Sequence, residues 1–300
     1  MDRVVLLFLH GGSYTKECWD PIIRRIKQSP LLQRVPCETV AFDWRFHGEK
    51  SDHSVGATIS YVHGNKAKPR SDHPLRVWVE WGLDDLRDVV KKLRANDKDG
   101  VKTKIVAIGH SMGASAMLQV EMENPGTFQG IIAFEPVHGK SRDEANAVTD
   151  MLVSVTLRRP GEWNTWEDVV KHFKTGKTYR RWNAESMDAF LKHGVRKRGD
   201  GKYVLATTPQ QEAAIYCHQL LQFDFPRVSC PVTIEHAEKS HFFDAKSTKL
   251  IAQQYPDKYT MADAIRNTTH SMIVEDPESC AAHIVQDLER LPCFQPRAKL

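Results

Sequence analysis

One short motif in the sequence has residue types and spacing that suit nucleophilic catalysis. Gly109-His110-Ser111-Met112-Gly113 has the pattern G-x-S-x-G and stands where a strand pattern gives way to a helix pattern. Glycine on both sides of Ser111 permits a sharp turn that lifts the serine hydroxyl above the ends of the strands. The motif therefore predicts Ser111 as a nucleophile, in preference to an ordinary tight turn between a strand and a helix.

A serine hydroxyl is a poor nucleophile until a base removes its proton, so the chain must also supply a histidine. His270 has the expected placement, because it follows the last predicted strand and precedes the closing helix. Most of the fourteen histidines lie in predicted loops or helices without this placement. We therefore predict His270 as the base, with a surface residue of no function as the weaker alternative.

Acyl transfer further requires two backbone N–H donors for the negative charge that develops on the carbonyl oxygen. Met112, the residue after the nucleophile, is expected to supply one of them. The other is expected from the turn His10-Gly11-Gly12-Ser13, where glycine lets the backbone approach a substrate closely. We predict Gly12 as this donor, with Ser13 as the alternative and as a candidate substrate contact.

Strand patterns alternate with helix patterns over most of the chain. Buried strands are predicted at residues 4–9, 38–42, 104–108, 129–134 and 232–235, with a further candidate at 259–265. Helices are predicted at residues 18–27, 76–93, 113–121 and 277–291. This alternation is typical of βαβ units and predicts an α/β fold whose mostly parallel sheet has about six strands flanked by helices.

The alternation stops between about residues 136 and 226, where the sequence becomes helix-like, aromatic and basic. We expect a core formed by residues 1–136 and 227–294, an inserted helical cap over 137–226, and a tail over 295–300. Residues 136–204 contain fourteen Lys and Arg against nine Asp and Glu, in a chain whose net charge is +4. The cap is therefore expected to carry the positive charge of the protein.

Several cap residues are candidates for substrate binding. The basic groups Arg158-Arg159, Arg180-Arg181 and Arg196-Lys197-Arg198 could bind phosphates, because guanidinium groups pair with phosphate oxygens. A solvated helix face explains any one of them equally well. An acyl-binding tunnel could be lined by Trp163, Trp166, Phe173 and Trp182, although aromatic residues at such spacing are more often the core of a cap.

Composition excludes other classes of function. The weak net charge does not indicate nucleic-acid binding, and the apolar run at 4–9 is too short for a signal-peptide core or a membrane span. The six cysteines include no C-x-x-C pair, so neither a metal site nor a redox cofactor is expected. Histidines 53, 63 and 73 lie in a stretch rich in Gly, Ser, Lys and Pro, which predicts a solvated loop.

Together these motifs resemble the α/β-hydrolase superfamily over nearly the whole chain. His10-Gly11-Gly12 is similar to the oxyanion loop of the family, and Gly109 to Gly113 to its nucleophile elbow. Asp43-Trp44-Arg45-Phe46-His47-Gly48 is similar to its D-x-R-x-H-G turn. His270 followed by Glu275-Asp276-Pro277 matches the ending of the family.

The cap adds a narrower resemblance, through Thr208-Pro209-Gln210-Gln211-Glu212 ahead of a helix. It is similar to capped peroxisomal serine hydrolases, among them fungal toxin-biosynthesis hydrolases and the acyl-CoA hydrolase of the mycophenolic acid pathway. The last residues, Ala298-Lys299-Leu300, differ from the peroxisomal address S-K-L only by Ala for Ser. The resemblance thus implies a peroxisomal location with the import receptor as a partner, and a cytoplasmic location is the alternative.

The same resemblance implies a serine hydrolase of specialised or lipid metabolism. It would cleave an ester or thioester, with an acyl-CoA substrate favoured, through an acyl-enzyme on Ser111 and without a cofactor. The alternatives are a lipase or lactonase with the same catalytic residues, and a ligand receptor that turns over barely or not at all.

The sequence departs from the family at the catalytic acid. Ser240 stands where most members carry Asp, after the strand at 232–235. Glu135 ends the preceding strand, 24 positions after Ser111, and some members place their acid after this strand. We predict Glu135 as the residue that orients His270, followed by Glu238 and then Asp244 as alternatives.

The start of the chain also departs from the family, because the first strand pattern corresponds to the third strand of that fold. The expectation is either a sheet of about six strands with an edge that needs protection, or a short isoform or gene-model start.

Overall fold

The computed structural model describes residues 3–95, 97, 101–137, 142–218, 221–241 and 243–295, without the side chains of 142–145. The predicted address Ala298-Lys299-Leu300 lies outside these residues. The described strands are β1 (Arg3–Leu9), β2 (Glu38–Phe42), β3 (Thr58–Tyr61), β4 (Pro69–Asp72), β5 (Thr103–His110), β6 (Gly130–Phe134), β7 (Glu162–Trp163), β8 (Val195–Lys197), β9 (Tyr203–Leu205), β10 (Val232–Glu235) and β11 (Tyr259–Met261). The described helices are α1 (Asp20–Lys27), α2 (Pro30–Arg34), α3 (Trp78–Arg94), α4 (Met112–Glu123), α5 (Arg142–Leu157), α6 (Trp166–Thr175), α7 (Ala184–Gly194), α8 (Pro209–Ile215), α9 (Ala245–Gln254), α10 (Met272–Glu275) and α11 (Pro277–Arg290).

Six strands form one parallel sheet in the order β11-β10-β6-β5-β1-β2. In the register of the sheet, Leu7 of β1 lies between Val40 of β2 and Ala107 of β5. The prediction of a mostly parallel sheet of about six strands is confirmed. The last strand is shorter than the predicted range 259–265, however. Strand β11 ends at Met261, and Ile265 makes only an isolated bridge to Ala237.

The side chains of alternate residues in the central strands pack in two apolar clusters, one on each face of the sheet. Leu7 and Leu9 pack in the cluster that includes Trp78 of α3 and Met117 of α4. Leu6 and Phe8 pack in the other cluster, whose further members include Trp19, Ile22 of α1 and Ile284 of α11. The sheet is thus covered by helices on both faces, which leaves the carboxyl ends of the strands as the natural place for a site.

The segment predicted as a helical cap contains strands as well as helices. Helices α5 to α8 lie between β6 and β10, and β7, β9 and β8 form a small antiparallel sheet among them. Phe173 of α6 and Phe190 of α7, with ring centroids 5.2 Å apart, lie in the apolar cluster of this segment. The short strands were not apparent in the sequence because two or three residues are too few to show a period.

The stretch predicted as a solvated loop around His63 instead contains the antiparallel pair β3 and β4. His73 is buried at its end, where Nδ1 accepts a hydrogen bond of 3.1 Å from the N–H of Leu75. Backbone pairing stabilises this hairpin without an apolar alternation. In the described part of the chain, no helix has both the length and the apolar character needed to cross a membrane.

A buried carboxyl pair lies between β10 and α11. Glu235 and Asp287 are almost fully buried, and Nδ1 of His283 lies 2.7 Å from Oε2 of Glu235. Burial and the neighbouring Glu235 raise the pKa of Asp287, whereas Arg290, 3.3 Å away, opposes the shift. The folded protein therefore holds a proton on Asp287 at pH values where the unfolded chain has released it.

We expect the free energy of unfolding to fall as pH rises from the ordinary carboxyl range towards this raised pKa, because the native state binds more protons than the unfolded state. The Asp287→Asn variant removes this difference in bound protons. It should reduce the slope of the free energy of unfolding against pH by up to about 1.4 kcal/mol per pH unit. Urea unfolding of both proteins between about pH 5 and pH 8 measures it. Equal slopes would show that Asp287 titrates normally.

Candidate active site

Ser111 occupies the turn between β5 and α4 in a strained backbone conformation. Its φ of 53° and ψ of −117° lie outside the regions that L-residues ordinarily adopt. Its N–H donates to the carbonyl of Phe134 at 2.9 Å, and its own carbonyl accepts from the N–H of Ser115 at 3.0 Å. These bonds to β6 and α4 hold the turn, so the side chain of Ser111 projects from a fixed backbone.

Gly113 makes this turn possible by close packing of backbone on backbone. A Cβ atom at Gly113 would lie 2.5 Å from the carbonyl oxygen of Leu9 in β1, and a Cβ at Gly109 would lie 2.8 Å from the backbone nitrogen of Ala114. Neither obstacle is a side-chain end that could swing away. Both glycines of the motif are therefore required sterically, as the sequence pattern predicts.

The Gly113→Ala variant should lose about 1–3 kcal/mol of unfolding free energy, because α4 must shift away from β1 to admit the methyl group. We also expect lower turnover, since the same shift displaces Ser111. The matched control is Gly199→Ala, where a Cβ meets nothing within 4 Å and stability should change by less than about 0.5 kcal/mol. Urea unfolding of the two variants checks this, and an equal loss in both would refute the steric argument.

The structure brings the three predicted catalytic side chains together. Nε2 of His270 lies 3.0 Å from Oγ of Ser111. On the other side of the ring, Nδ1 lies 2.6 Å from Oε2 of Glu135. The chain order of the three residues and the line of contacts fit a histidine that takes the serine proton through one nitrogen and is oriented through the other.

Glu135 lies directly after β6, with 1% of its surface exposed and a φ of 43°. Its Oε1 accepts the N–H of Ala237 at 2.9 Å, and its Oε2 accepts the hydroxyl of Ser240 at 2.8 Å as well as the bond from His270. Ser240, where the resemblance led us to expect Asp, thus supports the carboxylate that approaches from the neighbouring strand. Three donors thus hold this buried carboxylate in place beside His270.

The two alternative acids make other contacts, although Asp244 lines the same cavity as Ser111 and His270. Oε2 of Glu238 accepts the N–H of Asn267 at 2.8 Å, and Glu238 is exposed. Asp244 caps α9, where Oδ1 accepts the N–H of Ser247 at 3.0 Å. The carboxylate in hydrogen-bond contact with Nδ1 of His270 is therefore that of Glu135.

His110 was predicted only as part of the turn, but it also supports the loop that carries His270. Its Nε2 lies 2.7 Å from the backbone carbonyl of His270, an acceptor, so this nitrogen is assigned the proton. Burial lowers the pKa of His110 well below its ordinary value, and His270 nearby lowers it further. The next residue of the loop is Ser271, and its Oγ accepts a hydrogen bond of 3.0 Å from the hydroxyl of Tyr14. Neither role could be found from local sequence, because each contact spans well over a hundred positions.

The predicted oxyanion loop passes beside Ser111. A Cβ atom at Gly11 would lie 3.2 Å from Cβ of Ser111, so the loop backbone is in van der Waals contact with the nucleophile. Met112 is the first residue of α4, and its N–H has no acceptor within the helix. Gly12, Ser13 and Met112 all line the same cavity as Ser111. The residues that carry the two predicted N–H donors thus line the cavity beside Ser111.

The D-x-R-x-H-G turn contacts this loop through Trp44, whose Nε1–H donates to the carbonyl of His10 at 2.9 Å. Oδ1 of Asp43 accepts the N–H of Lys16 at 2.8 Å, and its Oδ2 accepts the N–H of Glu49 at 3.0 Å. Gly48 has a φ of 48°, and a Cβ there would lie 2.3 Å from Cγ of Asp43. These contacts assign the turn a structural role, in positioning the backbone around the oxyanion loop.

A cavity of about 940 Å³ opens above Ser111 and His270. Aromatic side chains of the cap form much of its wall, with Phe173, Trp182 and Phe190 among them. A cavity of this size holds a small-molecule substrate and excludes a folded protein. Within the described residues, no group of three or more His, Cys, Asp or Glu side chains could hold a metal ion.

Of the candidates for substrate contact, Ser13, Arg159, Phe173 and Trp182 line this cavity. The structure does not bring Trp163, Arg180 or Arg181 to it. Trp163 packs in the apolar cluster of the cap, with its ring centroid 5.6 Å from that of Phe173. Arg180 is exposed, and Arg181 binds Asn267 and lies 3.4 Å from Glu275. Arg159, which precedes β7, does line the cavity, together with Glu212 of α8.

A model of the Alpha/beta hydrolase family matches residues 6–283 of the chain. Abhydrolase domain-containing protein ACTT2 of Alternaria alternata is 23% identical over 226 residues, covering 63% of this chain and 85% of that protein. Probable protein phosphatase methylesterase 1 of Dictyostelium discoideum is 26% identical over 169 residues, 56% of this chain and 49% of that protein. The peroxisomal alpha-beta-hydrolase Lpx1 of Saccharomyces cerevisiae has a TM-score of 0.73 at 17% identity, covering 99% of this chain and 80% of that chain. The predicted fold and the predicted resemblance are both confirmed.

Proposed function

We propose that this hydrolase, which belongs to the Alpha/beta hydrolase family, cleaves an ester or thioester through an acyl-enzyme on Ser111. The observation that carries the proposal is the line of contacts from Oγ of Ser111 to Nε2 of His270, 3.0 Å, and from Nδ1 of His270 to Oε2 of Glu135, 2.6 Å. This arrangement activates a serine for attack on an acyl carbon.

In the first half of the proposed reaction, His270 takes the proton of Ser111 as the hydroxyl oxygen attacks the carbonyl carbon of the substrate. The oxyanion that forms accepts hydrogen bonds from the N–H groups of Met112 and Gly12. Glu135 stabilises the imidazolium and holds the tautomer with the proton on Nδ1. His270 then protonates the leaving alcohol or thiol, and the carbon–oxygen or carbon–sulfur bond breaks.

In the second half, a water molecule takes the place of the leaving group. His270 removes its proton, and the resulting hydroxide attacks the acyl carbon of the Ser111 ester. The same N–H groups stabilise the second oxyanion. Collapse of this intermediate returns the proton from His270 to Ser111 and releases a carboxylic acid.

Among ester and thioester substrates, we propose an acyl-CoA. The support is the excess of Lys and Arg in the cap, where Arg180 and Lys197 are exposed to pair with phosphates. These groups do not line the cavity. The acyl group would therefore occupy the cavity beneath the cap, which is the segment 137–226. The nucleotide part would lie on the outer surface of that segment.

The experiment that tests the substrate class compares an acyl-CoA panel with matched p-nitrophenyl esters and glycerides. The proposal predicts a preference for acyl-CoA that falls at high salt and in the double variant Arg180→Gln/Lys197→Gln. Lys246→Gln, an exposed lysine of α9, is the control and should leave the preference unchanged. Preference for glycerides, which the aromatic wall of Phe173, Trp182 and Phe190 would suit, favours a lipase instead.

We also propose a peroxisomal location. The support is the tripeptide Ala298-Lys299-Leu300 and the name of the similar Lpx1, a peroxisomal hydrolase. A fluorescent protein fused in front of residue 1 should collect in peroxisomes, and deletion of residues 298–300 should leave it in the cytoplasm. Identical distributions of the two fusions would overturn the proposal.

A further inference from the structure

The cap contributes to the cavity wall an ion pair that the proposed reaction does not use. The guanidinium of Arg159 pairs with the carboxylate of Glu212 on α8. Oε1 of Glu212 also accepts the hydroxyl of Tyr216 at 2.9 Å. All three residues line the cavity that contains Ser111 and His270.

The two charges of this pair differ in their exposure. Arg159 keeps 27% of its side-chain surface exposed, whereas Glu212 keeps 4%. Arg159 is therefore the more accessible partner of the pair in the cavity, and its buried Nε has no acceptor within the described residues. Because a guanidinium has several N–H donors in a fixed plane, it can bind the carboxylate on one side and another acceptor on the other.

Helix α8 places this pair close to the reacting centre. Glu212 and Ile215 are three residues apart and share a face of the helix. Ile215 packs on the oxyanion loop, since a Cβ atom at Gly12 would lie 3.2 Å from Cδ1 of Ile215. A substrate whose carbonyl oxygen reaches the N–H of Gly12 thus has its neighbouring atoms beside α8.

We propose that Arg159 donates hydrogen bonds to a second, uncharged oxygen of the substrate, a carbonyl or hydroxyl group separate from the bond that is cleaved. This inference rests on the proposed function. The acceptor is uncharged because Glu212 already neutralises the guanidinium, and a further carboxylate would bring two like charges to one cation at low dielectric. Beside apolar parts of the wall such as Phe173 and Phe190, these donors select for oxygenated acyl groups, since a plain alkyl chain leaves them unpaired.

The test compares p-nitrophenyl esters of one chain length that carry a keto group, a hydroxyl group, a terminal carboxylate or no substituent. The keto or hydroxyl ester should have a kcat/KM about 10- to 100-fold above that of the plain ester. In the double variant Arg159→Met/Glu212→Leu this ratio should fall close to one. Both charges are removed together because Glu212 alone would be left buried and unpaired.

The matched control is Arg158→Met. Arg158 is exposed, and its Nε donates to the carbonyl of Ser154 at 3.0 Å, so the ratio should persist. If the first double variant does not fold, Arg159→Gln/Glu212→Gln keeps polar side chains at both positions and removes both charges. Three results would overturn the inference. They are a wild-type ratio of kcat/KM values near one, an unchanged ratio in a folded double variant, and a preference for the carboxylate ester.

Failure of this inference can be told apart from failure of the proposed function. A fluorophosphonate reacts with an activated serine whatever the acyl group of the substrate. Labelling of Ser111 in the wild-type protein, without selectivity among the esters, overturns only the role of Arg159. Absence of labelling overturns the proposed function, on which the inference depends.

Discussion

The Ser111→Ala variant is expected to lose about 10⁴- to 10⁶-fold in kcat on any ester that the wild-type protein cleaves. No other atom occupies the position of Oγ, 3.0 Å from Nε2 of His270, so no acyl-enzyme can form. The residual rate reflects binding and the N–H groups of Gly12 and Met112, which can still stabilise an oxyanion made by water. The fold should be retained, because a methyl group replaces a hydroxymethyl group at the cavity surface.

Steady-state turnover of a p-nitrophenyl ester, with the far-ultraviolet circular dichroism of both proteins, measures this loss. Ser60→Ala is the matched control, since Ser60 is an exposed residue of β3 and should keep full activity. A folded Ser111→Ala protein within tenfold of the wild-type rate would mean that another residue carries the reaction.

Glu135→Gln is expected to lower kcat by about 10³- to 10⁴-fold with little change in the fold. The amide can donate to Nδ1 of His270 and so favour the tautomer that has no lone pair on Nε2 for the serine proton. It also removes the negative charge that stabilises the imidazolium. Since Glu135 is buried among donors from Ala237 and Ser240, no outside carboxylate can replace it.

Glu238→Gln is the matched control for this prediction, because Glu238 is the exposed alternative acid and should keep activity within about threefold. A stronger test combines Glu135→Ala with Ser240→Asp. Oγ of Ser240 lies 2.8 Å from Oε2 of Glu135, so a carboxylate at position 240 can approach His270 and recover at least about tenfold of the lost rate. If Glu238→Gln abolishes activity and Glu135→Gln does not, the assignment of the acid is wrong.

The sheet and the nucleophile turn could be predicted from the sequence because their signals are local. Val5 to Leu9 is a continuous apolar run, and the structure leaves those residues without exposed surface. The glycines at 109 and 113 mark backbone contacts that no other residue could make. In both cases the structural feature depends on residues that are close in the sequence. Periodicity and residue type are therefore sufficient to predict it.

The surroundings of the cavity could be predicted only in part, because they depend on contacts between distant segments. Arg181 pairs with Glu275, 94 positions later, and this pairing removes it from the substrate wall that the basic pattern suggested. Trp163 packs against Phe173 in the apolar cluster of the cap and so does not reach the cavity. The partner of Arg159, Glu212, lies on another helix, and nothing in either local sequence indicates the pair.

Positive φ angles at Ser13, Ser111 and Glu135 are a further property that residue types did not reveal. None of the three is glycine, so each position costs conformational energy that the surrounding packing must offset. Their coincidence at the oxyanion loop, the nucleophile and the acid supports the proposed site, because strain of this kind collects where side chains must point in fixed directions.

Covalent labelling with an active-site fluorophosphonate, followed by peptide mass spectrometry, shows directly whether Ser111 is an activated nucleophile. We expect one adduct on Ser111 in the wild-type protein, none in Ser111→Ala, and much slower labelling in Glu135→Gln. A folded wild-type protein that acquires no adduct, or acquires it on another serine, would contradict the claim that Ser111 is an activated nucleophile.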